Sequence, residues 1–110
     1  MMIYTTNSSF TVNLLDAEKD KDNLSQFIVE VVNGNNTSLF DPDETATSNK
    51  NISYDSSNKK ITIKNIPVSD GVNFITVHKK VGSGENYSIK KCVSVLVNKV
   101  TSLSSIDVSY

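Results

Sequence analysis

The chain has 110 residues and a formal net charge of −1, with eleven lysines, no arginine, and valine and isoleucine outnumbering leucine and alanine by more than two to one. That length gives one domain with a modest core, and the β-branched excess favours an all-β chain, since such side chains are stiff in a helix and suit a pleated surface. Without the arginine fork a nucleic-acid partner is disfavoured, and no segment approaches the roughly 18 apolar residues of a membrane span.

The single Cys92 forms no internal disulfide, which fits a protein kept or assembled in the cytosol. The start, MMIYTTNSSF, follows no positive n-region and does not read as a signal peptide; its double methionine reads as a native beginning. Asn, Ser and Thr make up about a third of the residues and supply turn chemistry.

In chain order, residues 1–9 read as an N-terminal arm. Phe10, Val12 and Leu14 alternate with Thr11 and Asn13 as a half-buried strand. DAEKDKDN is a polar turn, Phe27 to Val32 a second strand, and Asn33-Gly34-Asn35-Asn36 a tight turn. Residues 37–51 read as irregular. Ile52 and Tyr54 open a strand that DSSN turns into Ile61–Ile63. KKITIKNIPVSDGVNF (59–74) reads as a crossing between sheets, where Pro67 ends ladder pairing, Gly71 permits the turn and Phe74 seats the next strand in the core. That strand runs from Phe74 to Val81, and Gly82-Ser83-Gly84 turns it. Tyr87, Ile89, Val93, Val95 and Val97 then share one face of a long strand. Residues 99–110 are a C-terminal strand or arm. Strands at this spacing predict a single all-β Greek-key β-sandwich of about seven strands spanning 10–98.

Two family resemblances use these landmarks. FTVNLLDAEKDKDNLSQFIVEV (10–31) resembles the opening of a Cna B-type, prealbumin-like domain, with Asp16, Leu24 and Phe27 at its marks. Ile66-Pro67, Gly71, Phe74, Gly84 and Tyr87 resemble that family's later block, and VSVLVNKV its last strand. ITIKNIPVSDGVNF is also similar to the E–F corner of immunoglobulin-like domains, with Asp70 followed four residues on by an aromatic. Phe74 stands where that corner usually has Tyr, and Thr76 where the second Cys would be. The Cna B-type likeness is preferred because it also covers residues 10–31.

Many Cna B-type domains form an internal isopeptide bond from a buried Lys, an Asn or Asp, and a carboxylic acid. The resemblance puts Leu14 at the Lys position and His78 at the acid position, and only Asn98 matches, so no such bond is expected. His78 and Cys92 form the remaining catalytic candidate, on adjacent strands with matching parity. A lone histidine beside Lys79 and Lys80 reads more readily as a half-exposed surface residue, and Cys92 as a small hydrophobe. Asp16, Asp20 and Asp22, then Asp41, Asp43 and Glu44, are the acidic clusters; the run from Asp16 to Asp22 lacks the glycine and closing glutamate of a calcium loop, and Lys19 and Lys21 intersperse it as in a solvated loop. Sequons such as Asn7 and Asn51 arise by composition, and no helix start follows Gly82-Ser83-Gly84 to hold a phosphate.

No catalytic, cofactor or metal residue is therefore assigned. The expected function is a non-catalytic structural protein of a larger assembly, foremost a bacteriophage virion component such as a capsid decoration, neck or tail protein. Its partners would be other protein subunits, the major capsid protein among them, with no nucleic acid or membrane, and a homo-oligomer is open. A stalk or adhesin module of a bacterial cell surface and a carbohydrate- or peptide-binding module are the alternatives. The four tyrosines are scattered and tryptophan is absent, which disfavours a sugar site.

Overall fold

Alternating apolar residues on eight strands assemble two sheets around one core. The computed structural model describes residues 2–44, 50–83, 86–102 and 109, with the backbone alone at 83, 86 and 87. The strands are β1 (Met2–Thr5), β2 (Ser9–Leu14), β3 (Phe27–Asn33), β4 (Asn36–Phe40), β5 (Ile52–Asp55), β6 (Lys60–Pro67), β7 (Gly71–Ser83) and β8 (Asn86–Lys99); 3₁₀ turns cover Glu18–Asp20 and Leu24–Gln26. One sheet has the order β1-β8-β7-β3-β4 and the other β2-β6-β5. The protein is thus an all-β sandwich, with eight strands among the described residues.

Three hairpins stay within a sheet, β3–β4, β5–β6 and β7–β8, and the chain changes sheet at every other connection. The core between the sheets holds Val12 from β2, Phe27, Val29 and Val31 from β3, Ile52 from β5, Ile61, Ile63 and Ile66 from β6, Ile75 and Val77 from β7, and Val97 from β8. Burying each such side chain contributes about 1.5–3 kcal/mol.

Two bulges decide which side chains reach that core. Phe10 pairs with Ile66 but Val12 with Ile63, so β6 carries one extra residue at Lys64–Asn65. Asn65 absorbs it at φ 62 and donates through Nδ2 to Asn51 Oδ1 at 2.8 Å. One inserted residue reverses the alternation, and here it returns Ile66 to the core. On β8, Val77 pairs with Val93 but His78 with Lys91, leaving Cys92 as the extra residue. Val93, Val95 and Val97 therefore share the inner face, whereas Ile89 lies on the opposite face and is exposed. The expectation that Ile89 joins their face fails at this bulge.

Other departures have equally local causes. Residues 36–40 form β4, not irregular chain, because Gly34 at φ 59 closes a two-residue turn and Asn33 pairs with Asn36. Met2–Thr5 pair in parallel with Leu96–Lys99 of the same chain. β7 begins at Gly71 and continues through Ser83, and Gly84 lies outside the described residues. Phe74 does not seat β7 in the core. It is 42% exposed, while Asn73 and Ile75 on either side are fully buried. The DSSN turn is as expected: Asn58 Nδ2 and the backbone N–H groups of Ser57 and Asn58 donate to the Asp55 carboxylate, which lowers its pKa. Of the expected C-terminal strand or arm at 99–110, residues 103–108 and 110 lie outside the described residues.

Candidate interaction surface

The inner faces of both sheets are filled by the core, so chemistry must be sought on the outer faces, edges and ends. The register of the five-stranded sheet places Thr37, Val32, Phe74, Leu96 and Met2 in one row across all five strands, on the face turned away from the core. Val72, Asn98 and Tyr4 form the row on one side. Leu39, Glu30, Thr76 and Ser94 form the row on the other. Val72, Phe74, Tyr4 and Leu39 are all exposed. A contiguous apolar patch of this kind on a sheet face marks an interaction site more often than isolated apolar residues do. Thr76 and Ser94 join hydroxyls at 3.2 Å. A hollow of about 390 Å³ is lined by Phe74, Ser94 and Leu96 together with Ile3 and Val95, whose register partners Val97 and Ile75 belong to the core.

Sequence alternation alone missed this surface, although a signal was present. FIVEVV and VNFITV are apolar at both parities, the pattern of strands covered on both faces.

A second feature is an open cleft of about 670 Å³ at the end of the sandwich where β7 and β8 project beyond β3. Its walls include Leu15, Lys19, Asp20, Phe27, Lys79 and Cys92. Lys79 Nζ donates to Asp20 Oδ1 at 2.6 Å, and this hydrogen bond holds the Asp20 carboxyl below its ordinary 3.8 despite partial desolvation. Desolvation pushes the Cys92 thiol up, away from the thiolate that nucleophilic work needs.

His78 and Cys92 do not form a pair: Cys92 lines the cleft with Phe27 and Lys79, whereas His78 stands in the outer-face row of Ile28 and Lys91. His78 Nδ1 is buried with no hydrogen-bond partner among the described residues. Leu14, His78 and Asn98 are also apart. Leu14 packs against the core from β2, while Asn98 pairs with Val72 and His78 lies six residues further along β7, about 20 Å away. Asp20 is tied to Lys79 and Asp43 to Lys50 at 2.9 Å, and no three His, Cys, Asp or Glu converge on a metal-sized site among the described residues. The β8 edge lacks a strand partner over residues 86–95 on the side that β1 covers at 96–99, among the described residues. Lys90, Lys91 and the bulge at Cys92 blunt it in the way that protects sheet edges.

The crossing from β6 to β7 is held by a residue that pattern reading passed over. Asn73 is fully buried, its Oδ1 accepts from the Ser69 backbone N–H at 3.1 Å, and its Nδ2 donates to the carbonyls of Ser69, Gly71 and Val97 at 2.8, 3.0 and 3.2 Å. Asn33 Nδ2 adds bonds to the Asp70 and Val72 carbonyls at 3.2 and 3.1 Å. These side chains serve structure: they satisfy the main chain where the ladder stops. Among the described residues no helix is long and apolar enough to cross a membrane. Compared with known proteins, the chain matches no family model and no curated protein.

Proposed function

We propose that the chain is a non-catalytic, immunoglobulin-like interaction module that works as one subunit of a larger protein assembly. The observation that carries this reading is the apolar row Val32, Phe74, Leu96 and Met2 on the outer face of the five-stranded sheet, in which Phe74 is exposed and the other three are half-buried. Leaving it in water forgoes roughly 25 cal/mol for every Å² that a partner could cover.

The immunoglobulin-like part draws support from strand order. In such sandwiches B, E and D share one sheet, and G, F, C and C′ the other. Here β2, β6 and β5 stand in the first order and β8, β7, β3 and β4 in the second. The segment likened to an E–F corner then falls between β6 and β7, with Asn73 making the backbone bonds that a corner tyrosine makes elsewhere. A bacteriophage virion is the assembly we put forward, as a capsid decoration, neck or tail part.

The test is the size of the species that carries the chain in its native cells. The 12.1 kDa chain is expected in fast-sedimenting particles at a constant ratio to other structural proteins, with Phe74→Lys moving it to slow fractions. Recovery of the wild type only as a slow-sedimenting free chain would sink the reading. Detection in purified virions by mass spectrometry checks the finer identification.

A further inference from the structure

We propose that the cleft at the end of the sandwich takes an acidic, extended peptide segment of a protein partner. Its carboxylates would meet Lys19, Lys90 and Lys91, and an apolar side chain would rest against Leu15 and Val81. This site lies apart from the outer sheet face and goes beyond the reading given above.

The fold gathers lysines here and leaves most of them unneutralised. β7 pairs with β3 only as far as Lys79, so the β7–β8 hairpin runs on past β3 and floors the cleft. Its register sets Lys79 directly opposite Lys90, and like charges so placed repel each other. Asp20 neutralises Lys79 at 2.6 Å. Lys19, Lys90 and Lys91 have no carboxylate partner among the described residues, whereas Lys50, Lys59 and Lys99 each have one elsewhere.

These charges converge on one place. Desolvation raises the Cys92 thiol pKa and Asp20 adds to it, while Lys79, Lys90 and Lys19 all act in the opposite sense. Ammonium groups from the loop and from both hairpin strands thus lie within electrostatic reach of one atom in the cleft. A cleft in which one sign of charge predominates concentrates ions of the other.

The cleft is also held open in advance. Lys79 ties the Glu18–Asp20 turn to β7, and the Ala17 N–H donates to the Lys59 carbonyl at 2.8 Å, which ties the same loop to the approach to β6. Its volume of about 670 Å³ falls within the roughly 300–1,000 Å³ of ligand sites, enough for a short peptide segment.

The lining favours a peptide over a phosphate chain. Leu15 is 73% exposed and Val81 49%, and an apolar side chain would cover them where phosphates would leave them bare. Asp16 also lines the cleft, with no ion-pair partner among the described residues. A carboxylate only accepts hydrogen bonds, so it suits a peptide N–H and repels a phosphate. Lysine, moreover, lacks the fork with which arginine grips phosphate.

The test titrates the capped peptide Glu-Glu-Leu-Glu-Glu into the purified chain at low salt, followed by backbone amide NMR. Saturable shifts are expected at residues 14–20, 79–82 and 88–92, with a Kd on the order of 0.1–1 mM, as for a few exposed charge pairs and one apolar contact. The Gln-Gln-Leu-Gln-Gln counterpart should bind at least about fivefold more weakly. Lys19→Glu and Lys90→Glu should each raise Kd at least about threefold, while Lys64→Glu on β6, an equal change in net charge, should leave it within about twofold. Cys92 is a built-in reporter that needs no variant: bound peptide should slow its alkylation by uncharged iodoacetamide at least about threefold. Shifts that never saturate or that fall elsewhere, an unprotected Cys92, or a Lys64→Glu as harmful as the cleft variants each overturns the proposal. Tighter binding of a single-stranded oligonucleotide of equal charge overturns it in favour of a phosphate polymer. None of these measurements involves the Phe74 row, so their failure leaves the assembly reading standing.

Discussion

Asn73 and Ser69 bond each other in both directions: the Ser69 backbone N–H donates to Asn73 Oδ1 at 3.1 Å, and Asn73 Nδ2 donates to the Ser69 carbonyl at 2.8 Å. The pair locks the turn that carries the chain from one sheet to the other. Asn73→Leu keeps the approximate volume but strands the Ser69 N–H and three carbonyls, so a loss of about 2–4 kcal/mol is expected in urea unfolding. Asn73→Asp should cost more at neutral pH, because a carboxylate faces those carbonyls with no hydrogen to give. A Leu variant as stable as the wild type would show that the bonds are incidental.

The neighbours Phe74 and Ile75 test the register of β7. Ile75 is 0% exposed and Phe74 42%. Ile75→Ala is expected to cost about 2–5 kcal/mol, while Phe74→Ala should cost no more than about 1 kcal/mol in dilute solution, where no partner covers it. The reverse order in chemical denaturation would mean that β7 is slipped by one residue.

The Asp20–Lys79 ion pair gives a pH signature. The folded carboxyl lies below its ordinary 3.8 because of the hydrogen bond from Lys79. Its contribution is therefore present above the unfolded pKa and fades as pH falls through the lower folded value. With Asp20 only 14% exposed, Asp20→Asn should lose about 1 kcal/mol, as a charge-assisted bond near the surface would. That deficit should hold steady from pH 5 to 8 and shrink below about pH 4. A deficit that persists undiminished at pH 2.5 would trace to packing instead of charge.

Backbone handedness separates two positions whose side chains have room. Gly71 has φ 92 with nothing within 4 Å of where a Cβ would stand, so the cost of Gly71→Ala is conformational alone, about 1–3 kcal/mol. Asn65 sits at φ 62 inside the β6 bulge. Both Asn65→Gly and Asn65→Ala lose the bond to Asn51, but glycine's ease at positive φ offsets that loss, so Asn65→Gly should be near neutral and Asn65→Ala should cost about 1–2 kcal/mol. Thermal melts of the three variants give the ranking, and an unaffected Gly71→Ala would remove the conformational account of the crossing.

Where one residue type has one use, the sequence was readable. Asn33 to Asn36, Asp55 to Asn58, and Pro67 to Gly71 mark turns because their backbone needs are specific, and the structure has turns or sheet crossings at all three. Alternation failed wherever an insertion reversed its sense. Neither the bulge at Cys92 nor the shift that leaves Asn73 inward and Phe74 outward is signalled by composition, because a polar residue in a core and an aromatic on a surface both contradict the simple rule. The outer apolar row was harder still. It is assembled from four strands distant in sequence, and only their pairing brings Met2, Val32, Phe74 and Leu96 together.

The parallel seam between Met2–Thr5 and Leu96–Lys99 also constrains how the molecule is made. Its two sides are separated by nearly the whole chain, so the seam closes the longest loop in the fold, and its four residues give little return against that entropy. The three hairpins can zip from local turns, whereas β1 must wait until β8 is in place. Assembly of the sheet thus has a fixed last step, and the same strand is the first to leave when the sandwich loosens. Because Met2 and Tyr4 belong to the outer rows, departure of β1 also takes two residues off the face on which a partner would rest. A partner docked on that face would therefore favour the closed seam and stabilise the end of the sheet that the chain finishes last.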